Sequence, residues 1–135
     1  VIFHLVSHKF KEGTFDDELP SNLTEVEFEL NSNLQKIGQY SFLKSSIKQI
    51  TIPSSVKEIS YSAFSDCKLL EYIEFSNNSE LRIIGYLAFA NTNIKKITIP
   101  SSVKEICGSA FSDYKLLESI EFPNNSELTG VSRML

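Results

Sequence analysis

His4 and His8 stand four residues apart, the spacing at which two imidazoles on one helical turn can hold a metal ion. No HExxH glutamate accompanies them and the local pattern does not favour a helix, so they read as surface or edge histidines. Asp16, Asp17 and Glu18 form a short acidic run without the ligand spacing of a calcium loop, which fits a solvated turn. The many serines sit in repeated polar segments with no partnered histidine, so a serine nucleophile has no visible base. Cys67 and Cys107 make neither a zinc spacing nor a disulfide framework and are expected as separate free thiols. The 5 glycines are scattered and build no phosphate loop. These residues predict no enzyme, no cofactor and no metal site.

The elements behind them belong to a folded domain. A chain of 135 residues is about one domain long. A hydrophobic fraction of 41% with 22% charged residues argues against disorder. No apolar run approaches the ~18 residues of a membrane span. A net charge of -4 argues against a nucleic-acid partner. The sequence starts at Val1 and shows no secretory signal. It therefore reads as cytoplasmic, as lacking a signal that lies upstream, or as already processed.

Repetition is the strongest signal. The segment from Ile47 to Leu81 returns from Ile94 to Leu128 with 6 of 35 residues changed, a shift of 47 residues. A half-period lies inside it. Apolar segments of the form L-x-x-I-x-I begin at Leu23, Ile47, Leu70, Ile94 and Leu117. Their last three residues alternate inward, outward and inward, as a short half-buried strand does. Pro53, Pro100 and Pro123 end strands, because proline cannot donate to a ladder. An apolar pair follows each turn (Leu34/Ile37, Val56/Ile59, Leu81/Ile84, Val103/Ile106), and then a Ser-Phe or Ala-Phe step ending at Phe42, Phe64, Phe89 or Phe111. That step is expected on a short helix or 3₁₀ turn. One such coil cannot bury its apolar edge alone, but stacked coils share a continuous core.

The quoted residues resemble leucine-rich repeats of the BspA-like class, which occurs in surface antigens of bacteria and parasitic protists. One copy runs through Val56, Ile59, Ala63, Phe64, Cys67, Leu70, Ile73 and Phe75, and its second form has Tyr114 in place of the cysteine. The predicted fold is α/β: a right-handed leucine-rich-repeat solenoid with a parallel β-sheet on its concave face and short helical, 3₁₀ or irregular returns. The array of about five coils covers residues 19–128. Residues 1–18 match poorly and suit a cap or partial repeat, with Phe10 and Phe15 placed to close an apolar end. Residues 129–135 diverge, and the last coil lacks its Ala-Phe half.

By register, the strands present two solvent-facing columns: Glu25, Gln49, Tyr72, Lys96 and Ser119, and Glu27, Thr51, Glu74, Thr98 and Glu121. The resemblance implies that this strip binds a protein ligand, a host or matrix protein, as part of a surface or adhesion protein. The alternative is a structural spacer that touches only neighbouring repeats of a longer array. A third column, Lys48, Glu71, Lys95 and Glu118, alternates in sign. Attraction between neighbours there would give a reason for a unit of two unlike halves. The resemblance implies a cell-surface or extracellular location. Asn22, Asn77 and Asn124 begin N-x-S/T triplets, which are glycan acceptors if a eukaryote secretes the chain.

Overall fold

The computed structural model describes residues 2–5, 14–15, 23–29, 32–113 and 116–131. His8, Phe10, Asp16, Asp17, Glu18, Asn22 and Tyr114 lie outside the described residues. The same holds for the side chains of His4 and Phe15.

The strands fall into two alternating sets. The first set is β1 (Ile2–Leu5), β3 (Glu25–Phe28), β5 (Gln49–Ile52), β7 (Tyr72–Phe75), β9 (Lys96–Thr98) and β11 (Ser119–Glu121). The second set holds two-residue strands: β2 (Thr14–Phe15), β4 (Lys36–Ile37), β6 (Glu58–Ile59), β8 (Ile83–Ile84), β10 (Glu105–Ile106) and β12 (Gly130–Val131). Every pairing is parallel and joins strands of successive coils. The second set forms one six-stranded sheet. The first divides into β1-β3-β5-β7 and β9-β11. Across the division the Asn93 N–H donates to the Leu70 carbonyl at 3.0 Å. The chain thus winds as a β-solenoid, and the backbone pairing reaches β1 and β2 in the weakly repetitive first residues.

The core follows from the two sequence periods. In the first sheet Val26, Ile50, Ile52, Ile73, Ile97 and Ile99 point inward and are buried. In the second, a strand of two residues is too short for repeated alternation, so the inward residues are the pairs three apart. Leu34, Ile37, Val56, Ile59, Leu81, Ile84, Val103 and Ile106 are all fully buried.

Of the helical, 3₁₀ or irregular returns expected, the irregular form is the one seen: among the described residues no helix forms. Two residues before each core phenylalanine the backbone is left-handed, at Tyr40, Ser62, Leu87 and Ser109. Two residues after, it is left-handed again, at Lys44, Asp66, Asn91 and Asp113. A right-handed helix cannot pass through such residues. The N–H groups turn instead toward the next coil. Those of Tyr40, Phe42 and Lys44 donate to the carbonyls of Tyr61, Ala63 and Ser65 at 3.2, 2.8 and 3.0 Å. Those of Ser62, Phe64 and Asp66 repeat this onto Tyr86, Ala88 and Ala90. The intervening N–H groups of Ser41, Leu43 and Ser45 close local turns. Each coil is therefore bonded to the next on three sides, which satisfies the backbone without helix.

Inside the returns Phe42, Phe64, Phe89 and Phe111 form a continuous stack, with centroid separations of 4.8, 5.2 and 5.6 Å and ring planes within 12° of parallel. Alanine at 63, 88 and 110 leaves room for this approach, and all three are fully buried. Gly85 serves the same end: a Cβ there would lie 2.9 Å from the Ile59 carbonyl oxygen, which accepts the Gly85 N–H at 2.7 Å. The unlike halves of the 47-residue unit appear as two corner forms. One is short, Pro53–Ser55 and Pro100–Ser102, and one is long, Ser76–Glu80 and Pro123–Glu127. The Ser55 hydroxyl of a short corner donates to the Ser32 and Leu34 carbonyls at 2.9 and 2.6 Å, locking unlike corners together. The Ser102 hydroxyl does the same to Leu81 at 2.6 Å.

Candidate interaction face

Outward residues of the first sheet are set by the inward ones. Where Ile50 and Ile52 face the core, Gln49 and Thr51 must face out, and the strands on either side repeat the choice. The pairing puts Glu25 beside Gln49, Gln49 beside Tyr72 and Thr51 beside Glu74. Further along it puts Lys96 beside Ser119 and Thr98 beside Glu121. Glu27, Gln49, Thr51, Tyr72, Glu74, Lys96, Thr98 and Glu121 are exposed, while Glu25 and Ser119 are half-buried. The outward residues therefore form rows within each of the two parts of this face, β3-β5-β7 and β9-β11.

The rows are not uniform. In the later coils they are internally paired: Lys96 Nζ meets Glu121 Oε1 at 3.1 Å, and the Thr98 hydroxyl donates to Glu121 Oε2 at 3.3 Å. In the earlier coils Tyr72 is 64% exposed and Leu69 48%. With Glu25, Lys48, Gln49 and Glu71 they line a shallow depression of about 500 Å³. Leu69 was missed by sequence reasoning. Its signal was the doubled leucine, in which Leu70 supplies the core and leaves Leu69 pointing away.

Lys48, Glu71, Lys95 and Glu118 are exposed, and none has an oppositely charged partner within 4.0 Å among the described residues. Ion pairs between described residues include Lys96–Glu121 and Lys36–Glu58. Close ion pairing in this alternating column does not accompany the unlike halves of the repeat among the described residues, whereas their corners differ in length.

Other candidates resolve as follows. Cys67 is a buried free thiol whose Sγ donates to the Phe42 carbonyl at 2.8 Å and lies 3.4 Å from the Ser45 hydroxyl. Burial pushes it up to about 11, so it stays protonated and unreactive at neutral pH. Cys107 is half-buried, and burial together with the Glu105 carboxylate raises it too. Asn77 and Asn124 are exposed on the long corners. Among the described residues, no group of three or more His, Cys, Asp or Glu is placed to hold a metal ion. No helix among them is long and apolar enough to cross a membrane. A row of tyrosines also escaped the sequence reading. Tyr61 stacks on Tyr86 at 5.7 Å and meets Tyr40 edge-on at 5.2 Å. A hydrogen bond to Tyr61 raises the Tyr40 hydroxyl above its ordinary range. What the first face offers chemically is rows of hydrogen-bonding groups, exposed charges and the exposed Tyr72 ring beside an exposed leucine.

Comparison with known proteins supports the architecture. The chain matches the family described as BspA type leucine rich repeat region, in 6 copies over residues 35–133. No curated protein matches it. The crystal structure of the pneumococcal vaccine antigen PcpA is 33% identical with a TM-score of 0.75, covering 77% of this chain but only 26% of the antigen. A leucine-rich repeat protein from Bacteroides ovatus is 29% identical with a TM-score of 0.62, covering 87% of this chain and 34% of that one. Another from Bacteroides capillosus is 26% identical with a TM-score of 0.60, covering 87% and 82%.

Proposed function

The chain belongs to the BspA-type leucine-rich repeat family, and from that premise we propose that it is a protein-interaction module of a cell-surface or extracellular protein. Its working face is the outward side of the first sheet. The observation that carries this reading is the exposed pair Tyr72 and Leu69, set in the depression that Glu25, Lys48, Gln49 and Glu71 complete. Tyrosine in such a setting is a common interface anchor, and charged rims set orientation. The 33% identity to part of a pneumococcal antigen supports a surface location.

Size limits the affinity. Six short strands at ~4.8 Å spacing span roughly 24 Å, a strip smaller than the ~800 Å² per partner of a standard interface. Binding through this face alone is weak and gains from several copies or longer arrays. The paired Lys96, Thr98 and Glu121 favour the spacer role for the later coils, because their polar groups already have partners.

The test is binding of the chain to purified extracellular-matrix glycoproteins, measured by surface plasmon resonance with the chain displayed in many copies. A ligand of this face loses about 10–30-fold in affinity with Tyr72→Ala, the size of an interface hot spot. Full binding by Tyr72→Ala together with Leu69→Ser contradicts the assignment of the face. Failure of an impermeant reagent to label the protein on intact cells removes the surface location.

A further inference from the structure

The second sheet carries a different charge pattern. Its entrance column is Gln35, Lys57, Arg82, Lys104 and Thr129. Backbone bonds fix the rungs: Lys57 N–H to Gln35 O at 2.7 Å, Arg82 N–H to Lys57 O at 2.9 Å and Lys104 N–H to Arg82 O at 2.8 Å. The three central members are cations, and all are exposed. In-register parallel stacking places like charges about 4.8 Å apart at the backbone, which is unfavourable. The fold does not impose this, since the entrance column of the first sheet alternates in sign.

Nor do neighbouring carboxylates relieve it. Glu58 Oε1 pairs with Lys36 Nζ at 3.4 Å and accepts the Ser60 hydroxyl at 3.0 Å. Glu105 Oε1 accepts the Cys107 thiol at 3.8 Å. Among the described residues, no carboxylate lies within 4.0 Å of the charged groups of Lys57, Arg82 or Lys104. A chain of net charge -4 therefore carries a local stripe of three cations along its axis, none in an ion pair with a described residue. Four residues further along the same coils as Lys57 and Arg82 come Tyr61 and Tyr86, the stacked pair of the tyrosine row, with Tyr86 48% exposed.

We infer that this face binds a linear acidic polysaccharide carrying sulfate or uronate groups along its length. Such a chain meets the cation stripe with its anions and the tyrosine row with its sugar rings and hydroxyls. An acidic peptide fits less well. Strands β6, β8 and β10 are each paired on both sides, so no free strand edge exists there for a peptide backbone to join. Peptide binding would rest on charge alone.

The test uses the full chain on immobilised heparin, a sulfated polysaccharide, at about 0.15 M salt, where long-range attraction is largely screened. The triple variant Lys57→Gln, Arg82→Gln, Lys104→Gln is compared with Lys48→Gln, Lys95→Gln, Lys96→Gln, which changes net charge equally on the first sheet. The expected result is retention of the wild type and the first-sheet variant and flow-through of the stripe variant. Circular dichroism checks that each is folded. Should the stripe variant not fold, Arg82→Gln alone, titrated with heparin oligosaccharide, is expected to lose about fivefold in affinity. Flow-through of the wild type overturns the inference. So does equal behaviour of the two triple variants, or an undiminished affinity of Arg82→Gln. Displacement by poly-glutamate or by an oligonucleotide as effective as by heparin at matched charge also overturns it, because the face then reads charge and not sugar.

Discussion

Phe64 is the most informative residue to perturb. Its ring is fully buried between Phe42 at 4.8 Å and Phe89 at 5.2 Å, and both neighbours are nearly parallel to it. Truncating a buried phenylalanine to alanine costs about 3–5 kcal/mol, and each aromatic pair contributes ~0.5–1.5 kcal/mol beyond burial. Phe64→Ala is therefore expected to cost about 4–6 kcal/mol, a large share of the ~5–15 kcal/mol of a typical domain. Phe64→Leu is the better measurement, because it keeps most of the apolar volume and removes both ring contacts. Its expected cost is about 1.5–3 kcal/mol in urea unfolding followed by circular dichroism. In a double-mutant cycle Phe64→Leu and Phe89→Leu should couple by about 0.5–1.5 kcal/mol. Phe64→Leu and Phe111→Leu, which are not adjacent in the stack, should add within ~0.5 kcal/mol. A Phe64→Leu cost under about 0.5 kcal/mol, or no coupling with Phe89, refutes the stacked-return account.

Three further outcomes are expected. Gly85→Ala should destabilise by about 1–3 kcal/mol, because its new methyl meets the Ile59 and Ser60 backbone rather than a side chain that can move, and thermal unfolding checks it. Thr92→Val should raise the melting temperature by a few degrees, because the buried Thr92 hydroxyl has no hydrogen-bond partner among the described residues and valine removes that cost of about 1 kcal/mol. A thiol reagent at neutral pH should modify Cys107 in the native protein and Cys67 only on unfolding. Cys67 is raised in the folded state from an ordinary 9.0 to about 11, so its contribution is full below pH 9 and fades as pH rises toward 11. Of order 2–3 kcal/mol is involved, and a Cys67→Ala variant should lack that part of the alkaline decline in stability.

How much was legible depended on the period of each element. The first-sheet strands showed because residues such as Ile50 and Ile52 alternate with polar ones over a stretch long enough to read. The second-sheet strands showed only as apolar pairs such as Val56 and Ile59, since two residues give no alternation. The Ala-Phe steps were visible as residues, and of the helical, 3₁₀ or irregular returns they allowed, the described residues take the irregular form. Their left-handed positions hold no glycine: Tyr40, Lys44 and Leu87 give no turn signal, and only Asp66, Asn91 and Asp113 are of the Asn/Asp type that favours this region. The outward columns could be written from the sequence because inward neighbours dictate them. The tyrosine row and the cation stripe were missed because short and long corners shift their spacing from coil to coil. Tyr61 and Tyr86, like Lys57 and Arg82, become neighbours only once the corners have folded.

Everything rests on coils stacked in parallel and in this register, and a pair of cysteine variants measures that directly. In a Cys107→Ser background, Thr51→Cys with Glu74→Cys should form a disulfide on mild oxidation, because these residues are paired across β5 and β7. Thr51→Cys with Tyr72→Cys should not, since Tyr72 pairs with Gln49 and lies two residues out of register, beyond the ~7 Å that a disulfide can span. Rapid cross-linking of the first pair alone is the predicted result. Cross-linking of the second pair alone, or of neither, contradicts the stacked register and with it both proposed binding faces.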